Sequence, residues 1–243
     1  MARTVCLNSD VGEGFGAWKG GPDNELMNII TSANIACGFH AGDPSIVRRT
    51  CEMAVENNVA IGAHVGYPDL AGFGRRFIDM KPDELADAVI YQLAALDGCA
   101  RVAGSSVTYV KPHGALYNTI VRHEQQANAV AAAVHLYDPT LPLLGLPGTG
   151  SEIERAAAER GLTFCFEGFA DRGYTADGTL IPRGQPGALL TDGDAAASQA
   201  LELADRGIAS ICLHSDTPGA AELAAAVAGG LVREGYELRA FTR

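Results

Sequence analysis

Short apolar, β-branched runs alternate with longer stretches of helical periodicity along nearly the whole chain. That alternation limits the fold more than any other feature. Strands are predicted near residues 4–9, 34–39, 59–64, 106–111, 142–146, 162–167, 187–190 and 209–214. Helices are predicted near 22–32, 44–57, 82–103, 122–137, 150–160, 192–206 and 217–234. Asp43-Pro44 and Thr217-Pro218 each pair a capping side chain with a proline whose φ already suits a first helical turn. The strand runs are apolar on both faces, as strands covered by helices should be, so parallel strands joined by right-handed crossovers follow. The expected class is α/β. A (β/α) barrel, seven-stranded and irregular, is the first reading, with an open doubly wound sheet as the alternative. Polar motifs after nearly every strand favour the barrel, because an open sheet concentrates them at a switch point. No linker, repeat or low-complexity tract interrupts residues 1–243, which read as a single domain.

Eighteen basic and twenty-nine acidic residues leave a net charge of −11. Such a field repels a polyanion, so nucleic acid is not an expected partner. An anionic small substrate remains compatible, since local basic residues act inside the screening length of the overall field. Cys6, Cys37, Cys51, Cys99, Cys165 and Cys212 include no Cys-x-x-Cys pair and read as reduced core thiols. The first strand begins almost at Met1, and no apolar run approaches a membrane span. A cytoplasmic protein without a membrane partner is expected.

Four of the six histidines stand where a buried-looking strand breaks into a polar turn marked by glycine or proline. The runs are Gly38-Phe39-His40-Ala41-Gly42-Asp43, Gly62-Ala63-His64-Val65-Gly66, Lys111-Pro112-His113-Gly114 and Leu213-His214-Ser215-Asp216. Leu7-Asn8-Ser9-Asp10-Val11-Gly12-Glu13-Gly14 ends the first strand with acids instead. Strand ends of a barrel share one rim, so these distant residues can share one pocket. Asp10, His40 and His64 could form a two-histidine, one-carboxylate site for a divalent metal, although no close-spaced ligand pair such as H-x-x-x-H is present. Without a metal, the same histidines would bind a carbonyl or carry protons. Gly145-Leu146-Pro147-Gly148-Thr149-Gly150-Ser151 lacks the lysine and spacing of a P-loop and reads first as a tight turn into a helix. The segment from Glu167 to Pro186, rich in Gly, Asp and Arg, is a candidate functional loop.

Several of these runs together resemble the LamB/YcsF family. The likeness rests on residues 8–16, 32–44 and 67–76, on Val110-Lys111-Pro112-His113-Gly114-Ala115-Leu116-Tyr117-Asn118, on residues 167–174 and on Asp216-Thr217-Pro218-Gly219-Ala220. Two departures stand out: Ser215 occupies a position where glycine is expected, and the segment between Ala204 and Ser210 is short. The resemblance implies a barrel similar to the glycoside hydrolase and deacetylase group. It also implies the A component of bacterial 5-oxoprolinase, which opens the lactam 5-oxoproline to L-glutamate with ATP hydrolysis. Companion B and C subunits would handle ATP and phosphorylate the lactam oxygen.

Opening an amide ring requires an activated water, donors for the oxyanion and an acid for the leaving nitrogen. On that basis Asp10 is the expected base or water-orienting carboxylate, Glu13 a second catalytic acid group, and His214 the proton donor. Asp216 either joins His214 or caps the following helix. Lys111, with His113 beside it, is expected to act electrostatically, or to pair with Glu167. Asn8, Asn34, Glu167, Arg75, Arg76 and Arg172 are the expected substrate contacts, the arginines because a guanidinium fork matches carboxylate or phosphate oxygens. The other readings are a metal-dependent deacetylase acting alone and a non-catalytic scaffold subunit. His123 and His135 carry no expected role, and Trp18 is read as packing or as a loop anchor.

Overall fold

The structure, a computed structural model, describes residues 3–147, 150–176 and 178–242. Seven parallel strands close on themselves. They are β1 (Arg3–Val11), β2 (Ser32–Ala36), β3 (Ala60–His64), β4 (Val107–Val110), β5 (Leu143–Gly145), β6 (Phe164–Phe169) and β7 (Ser210–His214). Each pairs with the next, and β1 pairs with both β7 and β2 to complete the barrel. An eighth strand, β8 (Tyr236–Leu238), pairs with the opening residues of β1, Arg3 to Val5, outside the ring.

Helices clothe the barrel: α1 (Asp23–Met27), α2 (Pro44–Glu56), α3 (Pro82–Val102), α4 (Gly114–Thr119), α5 (Glu124–Tyr137), α6 (Glu152–Glu159), α7 (Gly193–Asp205) and α8 (Ala220–Arg233). Their apolar faces bury Leu85, Val89, Leu93 and Leu96 of α3, Val130 and Val134 of α5, and Leu223 and Val227 of α8. No helix among the described residues is long and apolar enough to cross a membrane. All six cysteines are free.

Three expectations about elements change. Residues 187–190 form no strand: their backbone pairs with the loop residues Asp171, Arg172 and Gly173 through isolated contacts rather than a ladder. The turn expected after His113 is the short helix α4, whose backbone starts at Gly114 with φ 52°. Thr217 does not cap α8, which begins later at Ala220; its hydroxyl donates to Asp171 instead. Asp43 does cap α2, accepting from the backbone of Ser45 and Ile46. Gly148 and Thr149 of the glycine-rich run lie outside the described residues, and Ser151 caps α6 by accepting from Glu154 N.

The barrel interior is polar where the strands approach the site. Asn8, Asn34, Tyr109, Lys111, Glu167 and Ser210 are buried there and hydrogen-bond to one another. Gly62 makes room for the Tyr109 ring, since a Cβ at that glycine would lie 2.1 Å from it. The register then sets Asp10 beside Asn34 on one neighbouring strand and beside His214 on the other.

Candidate active site

Lys111 is the hub of the polar layer. Its Nζ lies 3.0 Å from Asp10 Oδ1, 2.9 Å from Glu167 Oε1, 3.3 Å from Asn8 Oδ1 and 3.1 Å from Cys212 Sγ. Burial disfavours the ammonium, yet Asp10, Cys212 and Glu167 outweigh it and hold the lysine well above its usual range. Lys111 is therefore a fixed cation, and the expected electrostatic role and the expected pairing with Glu167 coexist. Asp10 Oδ1 also accepts from Asn34 Nδ2 at 2.8 Å, and its Oδ2 lies 3.4 Å from His64 Nε2. Burial alone would raise the Asp10 carboxyl, but His64 and Lys111 overcome that and hold it well below the carboxylate range. Such an anion orients a water or a positive group far better than it removes a proton.

Beside Asp10 sits a histidine cluster around Glu13. Glu13 Oε1 lies 3.0 Å from His40 Nε2, 3.3 Å from His113 Nδ1 and 3.8 Å from His64 Nε2. The His40 and His113 rings stack at 3.7 Å, and burial holds both well below the usual histidine range, so both are neutral. Burial pushes the Glu13 carboxyl up. Gly74, at φ 64°, lets the chain pass so close that a Cβ would lie 2.7 Å from both His113 Cδ2 and His40 Cβ. The preceding Phe73, also left-handed at φ 54°, aims its carbonyl at His113.

Backbone carbonyls decide the tautomers. His64 Nδ1 lies 3.0 Å from the Lys111 carbonyl oxygen, and His113 Nε2 lies 2.8 Å from that of Phe73. A carbonyl only accepts, so both outer nitrogens carry protons. In two neutral rings, the inner atoms His64 Nε2 and His113 Nδ1, only 2.9 Å apart, would then both present lone pairs. A positive charge must lie between them or against them, supplied by a proton or a metal cation. His64, His113, Glu13 and His40 offer ligand atoms all within 4.8 Å of one another, so the donor set fits a divalent cation. Of the expected set, His40 and His64 belong to this cluster; Asp10 lies 3.4 Å from His64 Nε2 and also groups with Cys212 and His214.

The cavity above these layers has a volume of about 340 Å³ and is lined by Asp10, His64, Lys111, His113, His214, Phe169, Tyr117 and three arginines, among others. His214 stacks on Phe169. Its Nδ1 lies 3.0 Å from both Asp171 oxygens, and Asp171 also accepts from His214 N at 3.1 Å and Thr217 Oγ1 at 2.7 Å. Burial opposes ionisation of Asp171, but the His214 contact prevails and lowers its carboxyl. No role for Asp171 was expected from the sequence. Its signals were its place in the loop from Glu167 to Pro186 and its position two residues beyond a strand end, as with Glu13 after β1.

Other expected contacts are relocated. Asn8, Asn34 and Glu167 are fully buried beneath the cavity and do not line it, because their polar atoms serve Lys111, Asp10, Tyr109 and Tyr117. Arg76 pairs with Asp69, away from the cavity. Arg172 does line it, but its Nε and Nη2 donate to the carbonyls of Ala188 and Ile181. Asp216 caps no helix: it pairs with Arg75 at 2.7 Å and Arg183 at 3.4 Å. Trp18 exposes two thirds of its surface, which leaves loop anchoring rather than packing of the two expected roles. Its backbone pairs with that of Phe15.

The sequence profile of the LamB/YcsF family matches residues 5–243. The chain belongs to the LamB/YcsF family. It is 53% identical over 248 residues to a protein of Kocuria rhizophila named as the A subunit of 5-oxoprolinase, with 97% of this chain and 98% of that one covered. A protein of the same name from Nocardia farcinica is also 53% identical, over the same shares. Among solved structures, the lactam utilization protein of Thermus thermophilus superposes with a TM-score of 0.92 at 40% identity, covering 98% of this chain and 100% of that one. A structure of T48 deacetylase with substrate, at TM-score 0.52 and 14% identity over 98% of this chain and 87% of that one, shares the barrel fold.

Proposed function

We propose that this LamB/YcsF protein is the lactam-opening component of an ATP-dependent 5-oxoprolinase, its A subunit, converting 5-oxoproline to L-glutamate. The observation that carries the reading is the pairing of His214 with buried Asp171 on a cavity that Asp10 and Lys111 also line. The names of the full-length relatives support the substrate.

In this reading the lactam ring occupies the cavity with its carbonyl toward the histidines. Asp10, fixed by Lys111 and Asn34, orients the attacking water. The water oxygen bonds to the ring carbon as its proton passes to the Asp10 carboxylate, the ring C–N bond breaks, and the nitrogen takes a proton from His214. With Nδ1 donating to Asp171, His214 uses Nε2 for this transfer, and the neighbouring carboxylate stabilises the cationic ring before it gives up the proton. Lys111 offsets negative charge developing near Asp10. A cation held by Glu13, His64 and His113 would polarise the lactam carbonyl when bound.

Amide opening needs no ATP in principle, so ATP must supply activation. Partner subunits B and C would transfer the terminal phosphoryl group to the lactam oxygen; water attack at the ring carbon and C–N cleavage in this chain would then leave the phosphorylated side-chain carboxyl of glutamate, and a second water would release phosphate from it. The overall balance is one 5-oxoproline, one ATP and two waters giving glutamate, ADP and phosphate.

The test is reconstitution with candidate B and C subunits, 5-oxoproline and ATP, measuring glutamate and phosphate together. Equimolar release is expected, and no glutamate from competent partners would sink the reading. Asp171→Asn should lower kcat about 10²- to 10⁴-fold with little change in KM, because the amide disturbs the His214 tautomer. Metal analysis and calorimetric titration of chelator-treated protein with zinc or manganese test the cation site directly. Saturable binding lost in His64→Ala and His113→Ala is expected.

A further inference from the structure

The net charge of −11 makes the cavity lining anomalous. Among the described residues, Arg75, Lys111, Arg172 and Arg183 all face it, against a single lining carboxylate, that of Asp10. Lys111 is neutralised from below by Asp10 and Glu167. The positive charge available to a ligand therefore lies at the mouth, on the arginines. Among the described residues, the carboxylate that Arg75 and Arg183 share is that of Asp216, whose two oxygens divide between Arg75 at 2.7 Å and Arg183 at 3.4 Å.

We propose that Arg75 and Arg183 form a phosphoryl-binding mouth, with Asp216 as the internal anion that occupies it when the ligand is absent. The proposal rests on the preceding reading, in which the lactam arrives activated by a phosphoryl group. Each arginine is held for the purpose. Arg75 lies with its guanidinium carbon 5.0 Å over the Phe73 ring, which fixes its approach without using any N–H. Arg183 belongs to the loop between β6 and α7, and Arg172 binds that loop through the carbonyls of Ile181 and Ala188 on either side of Arg183. The three side chains of the mouth are about one third exposed, so a ligand can reach them.

A phosphoryl group suits this geometry better than a carboxylate does. One carboxylate, that of Asp216, already spans both guanidinium groups, and it does so unequally. A tetrahedral phosphoryl group presents three terminal oxygens in divergent directions and up to two negative charges, enough to serve two forks at once. Displacing Asp216 would also free it to move from the mouth as the ligand seats. Arg75 was expected from the sequence to contact carboxylate or phosphate oxygens, Asp216 was expected in other roles, and Arg183 in none.

Calorimetric titration of the full chain with orthophosphate at constant ionic strength tests this, with acetate as the carboxylate arm. Saturable phosphate binding is expected, at least tenfold weaker in Arg75→Ala and in Arg183→Gln and tighter in Asp216→Asn, with acetate binding at least tenfold weaker than phosphate. Thermal melting of each variant reports whether it is folded. Equal phosphate affinity in wild type and a folded Arg183→Gln would overturn the proposal, as would acetate binding as tightly as phosphate. So would the absence of saturable phosphate binding in both wild type and Asp216→Asn. Binding as expected in a chain that makes no glutamate with its partners would uphold the mouth and remove only the 5-oxoproline substrate.

Discussion

Two ionisable residues, one buried and one half-buried, have consequences that single substitutions can read. Lys111 stands between the carboxylates of Asp10 and Glu167, all three nearly inaccessible to water. Replacing it with methionine leaves two buried anions without their cation, and a loss of about 3–5 kcal/mol in denaturant unfolding is expected. Adding Glu167→Gln should restore part of that loss, and no recovery would mean that packing around Lys111 matters more than charge. Asp23 behaves in the opposite sense. Burial raises its carboxyl from 3.8 to about 6, against a hydrogen bond from Gly12 N that favours the charged form. Its folded value lies above its unfolded one, so the unfolded chain ionises first and stability declines as pH rises from about 4 to about 6. The unfolding free energy of Asp23→Asn should gain on that of wild type by about 2.5 kcal/mol between pH 4 and pH 7.5, most of the equivalent of the shift. A difference independent of pH would show that Asp23 does not titrate in this range.

At the scale of elements, patterning was informative where a segment was long. The predicted helices over 44–57, 82–103 and 192–206 match α2, α3 and α7 to within a residue or two, because amphipathic repetition over several turns leaves little room for another fold. Short elements depend on neighbours. β8 has three residues and exists because the exposed start of β1 offers an edge to pair with. The run at 187–190 looks like a strand by composition but has no open edge beside it. Asp43 shows how much one local signal can do: it caps α2 and also accepts from Gly16 N, tying the loop after β1 to the helix. Asp43→Ala should lower the denaturant midpoint of unfolding through loss of the cap, and Asp43→Ser should retain most of it. Equal losses in the two variants would point to the loop contact instead.

Across the whole molecule, barrel closure is uneven. β1 is nine residues long and pairs along most of its length with β7 and β2, whereas β4 and β5 meet through the single register pair Val110 and Leu143. The barrel should therefore open first at that seam. Hydrogen exchange followed by mass spectrometry is expected to label peptides covering residues 140–147 well before those covering β1, and the reverse order would remove this account. The seam lies between Lys111, at the end of β4, and the turn after β5, so opening it would loosen the floor of the cavity before it loosened Asp10 or His214.

The chain's periodicity determined an α/β class with polar strand ends, and its motifs pointed to Asp10, Glu13, Lys111, His113 and His214 as neighbours. Those conclusions need only local pattern and the rule that strand ends share a rim. Tertiary structure decided which atoms face one another. Asp171 became the partner of His214, Asp216 the partner of Arg75 and Arg183, and Asn8, Asn34 and Glu167 the support beneath the cavity rather than its lining. Sequence spacing carries no record of a ring nitrogen's proton or of which way a guanidinium turns. Those follow from carbonyls and carboxylates brought close by barrel closure, such as the Phe73 and Lys111 carbonyls that assign the protons of His113 and His64.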